Sequence, residues 1–250
     1  MRLAILQARM TSTRLPGKVL KDILGKPMLS RQLERVRRAR LIDKLVVATS
    51  EDSSDDAIAS LCATESVECF RGSLTDVLDR YYHCAAKYSP SLIIRLTGDC
   101  PLADPSIIDG AISQHEQEQN DYTSTTRQPS FPDGVDVEIA TPKAIEAAWK
   151  EAVEPFEREH VMPFIWRRPE RFRLGNYSNE RDLSHLRWTV DRPEDLELAL
   201  TIYRALYPRN PEFTWHDVLE LVTERPELTT LNGHFIRNES LKRQLDGQGN

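Results

Sequence analysis

The chain reads as an α/β protein with a mostly parallel sheet and helices on both faces. Short apolar runs at residues 3–6, 45–48 and 92–96 have the length and make-up of strands buried on both sides. Each run passes at once into a polar turn, and an amphipathic helical pattern follows it. Right-handed crossovers then set every polar strand end along one sheet edge, which is where open α/β sheets bind ligands.

The first strand, residues 3–6, runs into a loop that carries Arg9, Ser12, Arg14 and Lys18, with Pro16-Gly17 breaking regular structure. Arginine grips phosphate with two prongs and lysine adds a point charge, so this loop is a candidate anion cradle. It is neither GxxxxGK[ST] nor GxGxxG, so side chains rather than glycine amides would do the holding. Pro27 opens a helix with Leu29, Leu33 and Val36 on one face. Its arginines, Arg31, Arg35, Arg37, Arg38 and Arg40, read as a solvated face rather than a binding patch. The second strand ends in Thr49-Ser50-Glu51-Asp52, and a helix is expected over 54–63. A short strand over 67–70 ends in Phe70-Arg71-Gly72-Ser73, and Asp76 begins the next helix, where an acid suits the helix dipole. The strand at 92–96 ends in Thr97-Gly98-Asp99-Cys100-Pro101. Asp104 then caps a helix that has Pro105 at its first position.

After residue 120 the rhythm changes. Residues 122–126 suit a strand and Pro132-Asp133-Gly134 a turn. Val135, Val137 and Ile139 alternate with Asp136 and Glu138, which predicts a half-buried strand with two carboxylates on its polar face. Thr141-Pro142 starts a helix; 157–166 is expected helical, and 172–177 and 187–190 are expected strands. The last of these runs into Asp191-Arg192-Pro193. Leu196, Ala199, Leu200 and Tyr203 stripe a further helix, and Thr214 with Asp217 forms a capping-box pattern. A polar tail occupies 239–250.

The 250 residues are 40% hydrophobic and 29% charged, as in a soluble chain of one large domain. A net charge of −6 argues against a general nucleic-acid binder and against an anionic membrane surface. The first loop has the opposite sign, which suits a small anionic ligand. Cys62, Cys69, Cys84 and Cys100 form no CxxC, and their intervals suit neither a zinc site nor a disulfide framework, so reduced thiols are expected. With no signal-like start and no apolar run near ~18 residues, the expected location is the cytoplasm.

Asp99 and Asp191 each directly follow a short apolar run. In the inferred order both reach the edge that carries the phosphate loop. Magnesium uses few carboxylates, with water and phosphate oxygens filling the remaining positions, so two strand-end aspartates are sufficient protein ligation. Taken singly, Asp191 also reads as a helix cap before Pro193, and Asp99 as a turn residue before Pro101.

Three motifs resemble one family. Gln7-Ala8-Arg9 with Ser12-Thr13-Arg14-Leu15-Pro16-Gly17-Lys18 resembles the signature loop of the CMP-sugar synthetases, the acylneuraminate and 3-deoxy-manno-octulosonate cytidylyltransferases, with the spore coat polysaccharide branch nearest. Leu96-Thr97-Gly98-Asp99-Cys100-Pro101 resembles that family's metal-binding strand end, and residues 189–196 its second acidic motif. The resemblance implies a Rossmann-like sheet of the nucleotide-diphospho-sugar transferase type, forming a single domain over 1–250. Within it, residues 120–190 hold a small α+β substrate and dimerisation segment, and a homodimer contact is expected over about 130–185. It implies transfer of CMP from CTP to a sugar acid with release of pyrophosphate. Arg9, Arg14 and Lys18 would hold phosphates and Asp99 and Asp191 magnesium, while Gln7, Ala8, Ser12 and Thr97 would complete the nucleotide site. Arg71 would approach cytosine, and Asp76 the nucleotide or its metal-bound phosphates. Asp136, Glu138 and His160 are the acceptor-side candidates. His160 is the best placed of the six histidines, although a helix-surface role also fits it. The segments 71–76 and after Gly134 depart from the sialic-acid and octulosonate enzymes, which leaves the acceptor open. A glycosyltransferase on a related sheet and a non-catalytic nucleotide-binding protein are the competing readings. Against the first, Asp99 is followed by Cys100-Pro101 rather than by a second aspartate two places on.

Overall fold

A computed structural model describes residues 1–237, 239, 241 and 247. The 239–250 tail expected from sequence therefore lies, apart from Glu239, Leu241 and Gly247, outside the described residues. Strands β1 (Arg2–Gln7), β4 (Lys44–Ser50), β5 (Glu68–Gly72), β6 (Leu92–Thr97), β7 (Tyr122–Ser124), β8 (Glu138–Ala140) and β9 (Leu174–Asn176) form one sheet in the order β5-β4-β1-β6-β8-β7-β9. Only β8 runs against its neighbours. A two-stranded hairpin, β2 (Asp22–Ile23) and β3 (Lys26–Pro27), stands apart.

In β1 every core position is apolar, and alternate side chains serve opposite layers. Ala4 and Leu6 pack into one core with α1 (Met28–Val36), α2 (Asp56–Thr64), α4 (Pro105–Glu118), α8 (Pro193–Leu206) and α9 (Trp215–Glu224). Leu3 and Ile5 pack into the other with α3 (Val77–Tyr88), α5 (Pro142–Glu151) and α7 (Pro163–Trp166). The register sets Gln7 opposite Ala48 on one side and Thr97 on the other, so the loops after β1, β4 and β6 leave from one edge. Caps fall where the sequence puts them: Asp76, Asp104, Thr141 and Thr214 each accept a first-turn amide.

Four expectations need correction. Residues 187–190 form no sheet strand. They make an extended strap whose amides pair with loops: Trp188 and Thr189 donate to the Asp133 carbonyl at 2.6 and 2.9 Å, and Val190 donates to the Asp99 carbonyl at 2.8 Å. Residues 157–166 are two helices, α6 (Pro155–His160) and α7, because Val161 takes φ 72° and Pro163 cannot continue the first. The alternation over 135–139 holds, with all three apolar side chains buried, but the ladder begins only at Glu138, and Glu138 itself is buried. The arginine face of α1 is only partly solvated. Arg31 donates to the Ile23 and Leu24 carbonyls at 2.9 and 2.7 Å, and Arg35 to those of Ala103 and Phe213 at 2.8 and 2.9 Å, both fully packed. A planar guanidinium remains charged in such packing because carbonyls and aromatic faces replace its water.

Candidate active site

The polar strand ends surround a cleft of about 680 Å³. One wall is the loop after β1. It is tied down at both ends: Met10 N donates to Asp55 Oδ1 at 2.7 Å, and the Met10 carbonyl accepts the amides of Ser12 and Gly17 at 2.9 and 3.0 Å. Buried Leu15 anchors its middle, and Gly17 at φ 65° turns the chain into a short 3-10 helix that brings Lys18 inward. Gln7, Ala8, Arg9, Ser12, Arg14 and Lys18 all line the cleft, as do Thr97, Asp99 and Asp191.

Lys18 is the centre of this arrangement. Its Nζ donates to Asp99 Oδ2 at 3.2 Å and to Asp191 Oδ1 at 2.7 Å, so residues far apart in sequence converge on one nitrogen. Burial alone would lower the lysine pKa, but the two carboxylates outweigh it and raise it above the ordinary value. Burial would raise Asp99, yet Lys18 and the hydrogen bonds from Thr97 and Cys100 bring it well below the usual carboxylate range. Asp191 also meets Arg14 at 2.7 Å and Arg187 at 3.5 Å. It is not the cap of α8. That duty falls to Asp195, which accepts the amides of Asp191 and Arg192 at 2.9 and 3.0 Å and leaves the Asp191 carboxylate for the cleft. Arg187, buried behind it, binds Asp195 through two bonds of 2.9 Å and Asp133 at 3.1 Å.

The opposite wall is the turn at 133–138. Gly134, at φ 110°, is pressed onto the strap so closely that a Cβ there would lie 2.3 Å from Thr189 N. Asp136 pairs with Arg237; Glu138 pairs with Arg95 and accepts the Tyr122 hydroxyl at 2.5 Å. Burial, then Asp136, pushes Asp133 up to about 8, and burial likewise raises Asp136. His160 lines the same side with Pro163 and Trp166.

Two sequence candidates lie elsewhere. Arg71 does not line the cleft; it braces the end of β4, donating to the Ser50 and Asp52 carbonyls at 2.8 and 2.9 Å and pairing with Asp56 at 2.7 Å. Asp76 is also outside the lining. It caps α3 through Asp79 N at 2.9 Å and holds Arg158 at 2.6 Å. Arg80, Arg95, Arg127 and Asp133 do line the cleft and were not singled out from sequence. For Arg95 a signal was there, a charge inside an otherwise apolar strand. For Asp133 the turn reading concealed it.

Among the described residues no cluster of three metal-ligating side chains occurs. The donor set nonetheless fits magnesium: two convergent hard-oxygen ligands, already holding a cation between them, with open cleft beside them for phosphate oxygens.

Comparison with known proteins shows the family. The family model for cytidylyltransferases matches residues 3–210. Spore coat polysaccharide biosynthesis protein SpsF of Bacillus subtilis is 34% identical over 91% of this chain and 96% of its own length. A solved cytidylyltransferase from Leptospira borgpetersenii superposes with a TM-score of 0.86 at 32% identity, covering 95% of this chain and 97% of that one. The 3-deoxy-manno-octulosonate cytidylyltransferase of Geobacter sulfurreducens is 40% identical, but over 44% of this chain and 43% of its own. The chain belongs to the cytidylyltransferase family and is a CTP-dependent nucleotidyltransferase.

Proposed function

We propose that this enzyme transfers the cytidylyl group of CTP to a hydroxyl of a sugar acid destined for a surface glycan. The observation that carries the reading is the convergence of Asp99 and Asp191 on Lys18, with Arg14 on the second oxygen of Asp191, in one cleft. The acceptor oxygen attacks the α-phosphorus and gives up its proton to solvent, a new P–O bond forms, the bond from the α-phosphorus to the bridging α–β oxygen breaks, and pyrophosphate leaves. Arg9, Arg14 and Lys18 hold the β- and γ-phosphates, so the work is positioning and charge compensation. Asp99 and Asp191 would hold magnesium, which offsets charge on the leaving phosphates. Gln7, Ala8, Ser12 and Thr97 complete the nucleotide wall. Arg71 and Asp76 support it from behind by fixing the ends of β4 and α3. Asp136, Glu138 and His160 face the acceptor.

The same reading has the enzyme in the cytoplasm, as a homodimer joined through residues at about 130–185. In support, all four cysteines are free, and Val153 in that segment is 82% exposed. Among the described residues no helix is long and apolar enough to cross a membrane.

The test is magnesium-dependent pyrophosphate release from CTP with a panel of sugar acids, for wild type, Asp99→Asn and Asp191→Asn. Expected are turnover with CTP above ATP, GTP and UTP, and losses of at least about 100-fold in each variant, equivalent to about 2.7 kcal/mol. Because Asp195 caps α8, a loss in Asp191→Asn does not reflect a lost cap. Absence of pyrophosphate release with every triphosphate and acceptor refutes the reading.

A further inference from the structure

The family match ends at residue 210, yet the chain beyond it returns to the cleft. Buried Asn232 donates to the Arg187 carbonyl at 3.0 Å and to Asp195 Oδ1 at 2.8 Å. The Phe235 ring lies 4.4 Å from the Arg192 guanidinium. Arg237 then reaches the wall at 133–138. Its Nη1 donates to the Phe131 carbonyl at 3.0 Å, its Nη2 pairs with Asp136, and its Nε stands 3.7 Å from Asp133. Glu239 meets Arg192 at 3.0 Å and Arg14, in the loop after β1, at 3.9 Å.

Asp136 depends on this segment for its counter-charge. Other carboxylates of the cleft take cations from within residues 3–210: Asp99 and Asp191 have Lys18, Asp133 has Arg187 and Glu138 has Arg95. Among the described residues Asp136 has one ion pair, with Arg237. Its side chain lines the cleft and is 20% exposed, so part of the carboxylate is open to a ligand. A carboxylate has about four acceptor sites, and Arg237 and Asp133 leave some of them free. Arg237 itself does not line the cleft and is only 12% exposed.

Building on the reading that Asp136 faces the acceptor, we infer that Arg237 is a positioning residue for the acceptor, holding the Asp136 carboxylate so that it accepts a hydrogen bond from an acceptor hydroxyl. The guanidinium fixes the carboxylate from behind, and the Phe131 carbonyl fixes the guanidinium. The groups that face Asp136 are Arg237, Asp133 of its own turn, Glu138 of β8, and Asp99 and the Cys100 thiol after β6. Burial raises the Asp136 pKa most. Arg237 is the chief opposing influence, Glu138 and Asp99 add to the rise, and a hydrogen bond from Asp133 works against it. Without Arg237 the carboxyl would take up a proton near neutral pH. It would then present a donor where the hydroxyl needs an acceptor.

The experiment uses the full chain with CTP, magnesium and whichever sugar acid of the panel turns over fastest, 3-deoxy-manno-octulosonate and N-acetylneuraminate included. Wild type, Arg237→Gln, Arg237→Lys and Asp136→Asn are compared by pyrophosphate release and by melting temperature with and without CTP. Expected for Arg237→Gln near neutral pH is an acceptor KM raised at least about tenfold, with kcat within about threefold of wild type. Its KM ratio to wild type should shrink toward about pH 9, as Asp136 regains its charge. Arg237→Lys keeps the charge, so its KM should fall between and its ratio should hold steady with pH. Asp136→Asn should show the same rise with no alkaline recovery. KM for CTP and the CTP-induced melting shift should be unchanged in all three. An acceptor KM unchanged in Arg237→Gln or in Asp136→Asn overturns the inference. So does a rise in Arg237→Gln that ignores pH, since lost packing does not titrate. A CTP KM that moves in parallel also overturns it, making Arg237 an anchor that keeps Glu239 near Arg14. If Arg237→Gln does not melt cooperatively, Arg237→Lys and Asp136→Asn decide: a lysine variant no better than Asp136→Asn overturns the inference. All these outcomes leave cytidylyl transfer standing. No release with any acid of the panel appears already in wild type and refutes that reading together with the inference.

Discussion

Replacing Lys18 by methionine removes the ammonium that joins Asp99 to Asp191 and keeps the aliphatic stem. The cost follows from who remains. Asp191 retains Arg14 at 2.7 Å and Arg187 at 3.5 Å, but Asp99 is left with no cation, only the hydrogen bonds from Thr97 and from the Cys100 thiol at 3.4 Å. Breaking a fully buried pair costs 3–5 kcal/mol and an exposed one 0–1. The lysine side chain is 10% exposed and the carboxylates 26% and 20%, so about 1–3 kcal/mol is expected. For a domain of this size that lowers the melting temperature by roughly 2–12 °C. The charged bridge acts over a wide pH window. The depressed Asp99 contributes stability that is present above the unfolded carboxylate pKa of about 3.9 and is lost as pH falls through its lowered folded value. The raised Lys18 contributes stability that is present below about 10.4 and is lost as pH rises through its raised folded value. At pH 7 the difference between wild type and variant is therefore at its full size. Magnesium chloride without nucleotide then distinguishes a built cation seat from a chance ion pair. In Lys18→Met the two carboxylates face each other with no cation between them, and ~10 mM magnesium at a dissociation constant near 1 mM returns about 1.4 kcal/mol. Wild type, whose seat is filled, should respond far less. Differential scanning calorimetry with and without magnesium measures both effects. A variant whose melting temperature ignores magnesium refutes the reasoning.

Two further perturbations test the frame around the site. Gly134→Ala puts a methyl into the backbone of the strap at a φ of 110°; it should cost on the order of 2–4 kcal/mol in urea denaturation and lower turnover through the displaced Asp191. His115 is buried against Thr123, and burial pulls its pKa down to about 4. A folded pKa below the unfolded ~6.5 means that stability is full above pH 6.5 and is lost as pH falls toward 4, by about 3 kcal/mol. His115→Gln should flatten that acid limb in denaturation curves taken between pH 7 and 4.

The sheet was legible because its strands are buried on both faces. Runs such as residues 92–96 have few other uses in a soluble chain, and their register follows from the parallel pairing of Gln7 with Ala48 and Thr97. The meeting of the first loop with the two aspartates was legible because side chains, not amides, carry the charge, and side chains are what a sequence displays. The strap at 187–190 was misread because a strand's apolar pattern shows only that a segment is extended and covered. Its amides bond to the Asp133 and Asp99 carbonyls instead of a neighbouring strand, and no periodicity encodes that choice. Arg71 and Asp76 were placed by analogy, and local geometry decided against the cleft. A guanidinium at the end of β5 finds the Ser50 and Asp52 carbonyls within reach, and an acid before α3 finds the first-turn amide. Arg31 and Arg35 show the converse, since burial of an arginine depends on carbonyls supplied from distant segments.

These pairings have a consequence for binding. Around Lys18 the ligand-free charges are satisfied internally: Lys18 and Arg14 hold the two aspartates. A triphosphate entering alone would draw Lys18 and Arg14 away, leaving Asp99 without a cation and Asp191 with Arg187 alone, at 3.5 Å. A divalent cation entering alone would displace Lys18 without giving its ammonium a partner. Only when anion and cation arrive together does every group exchange one partner for another. The phosphates would take the basic side chains and the cation the carboxylates, with no charge left buried and uncompensated. With magnesium held by Asp99 and Asp191 as proposed, the internal ion pairs would favour the nucleotide together with its metal over either component, and the two would bind with positive coupling.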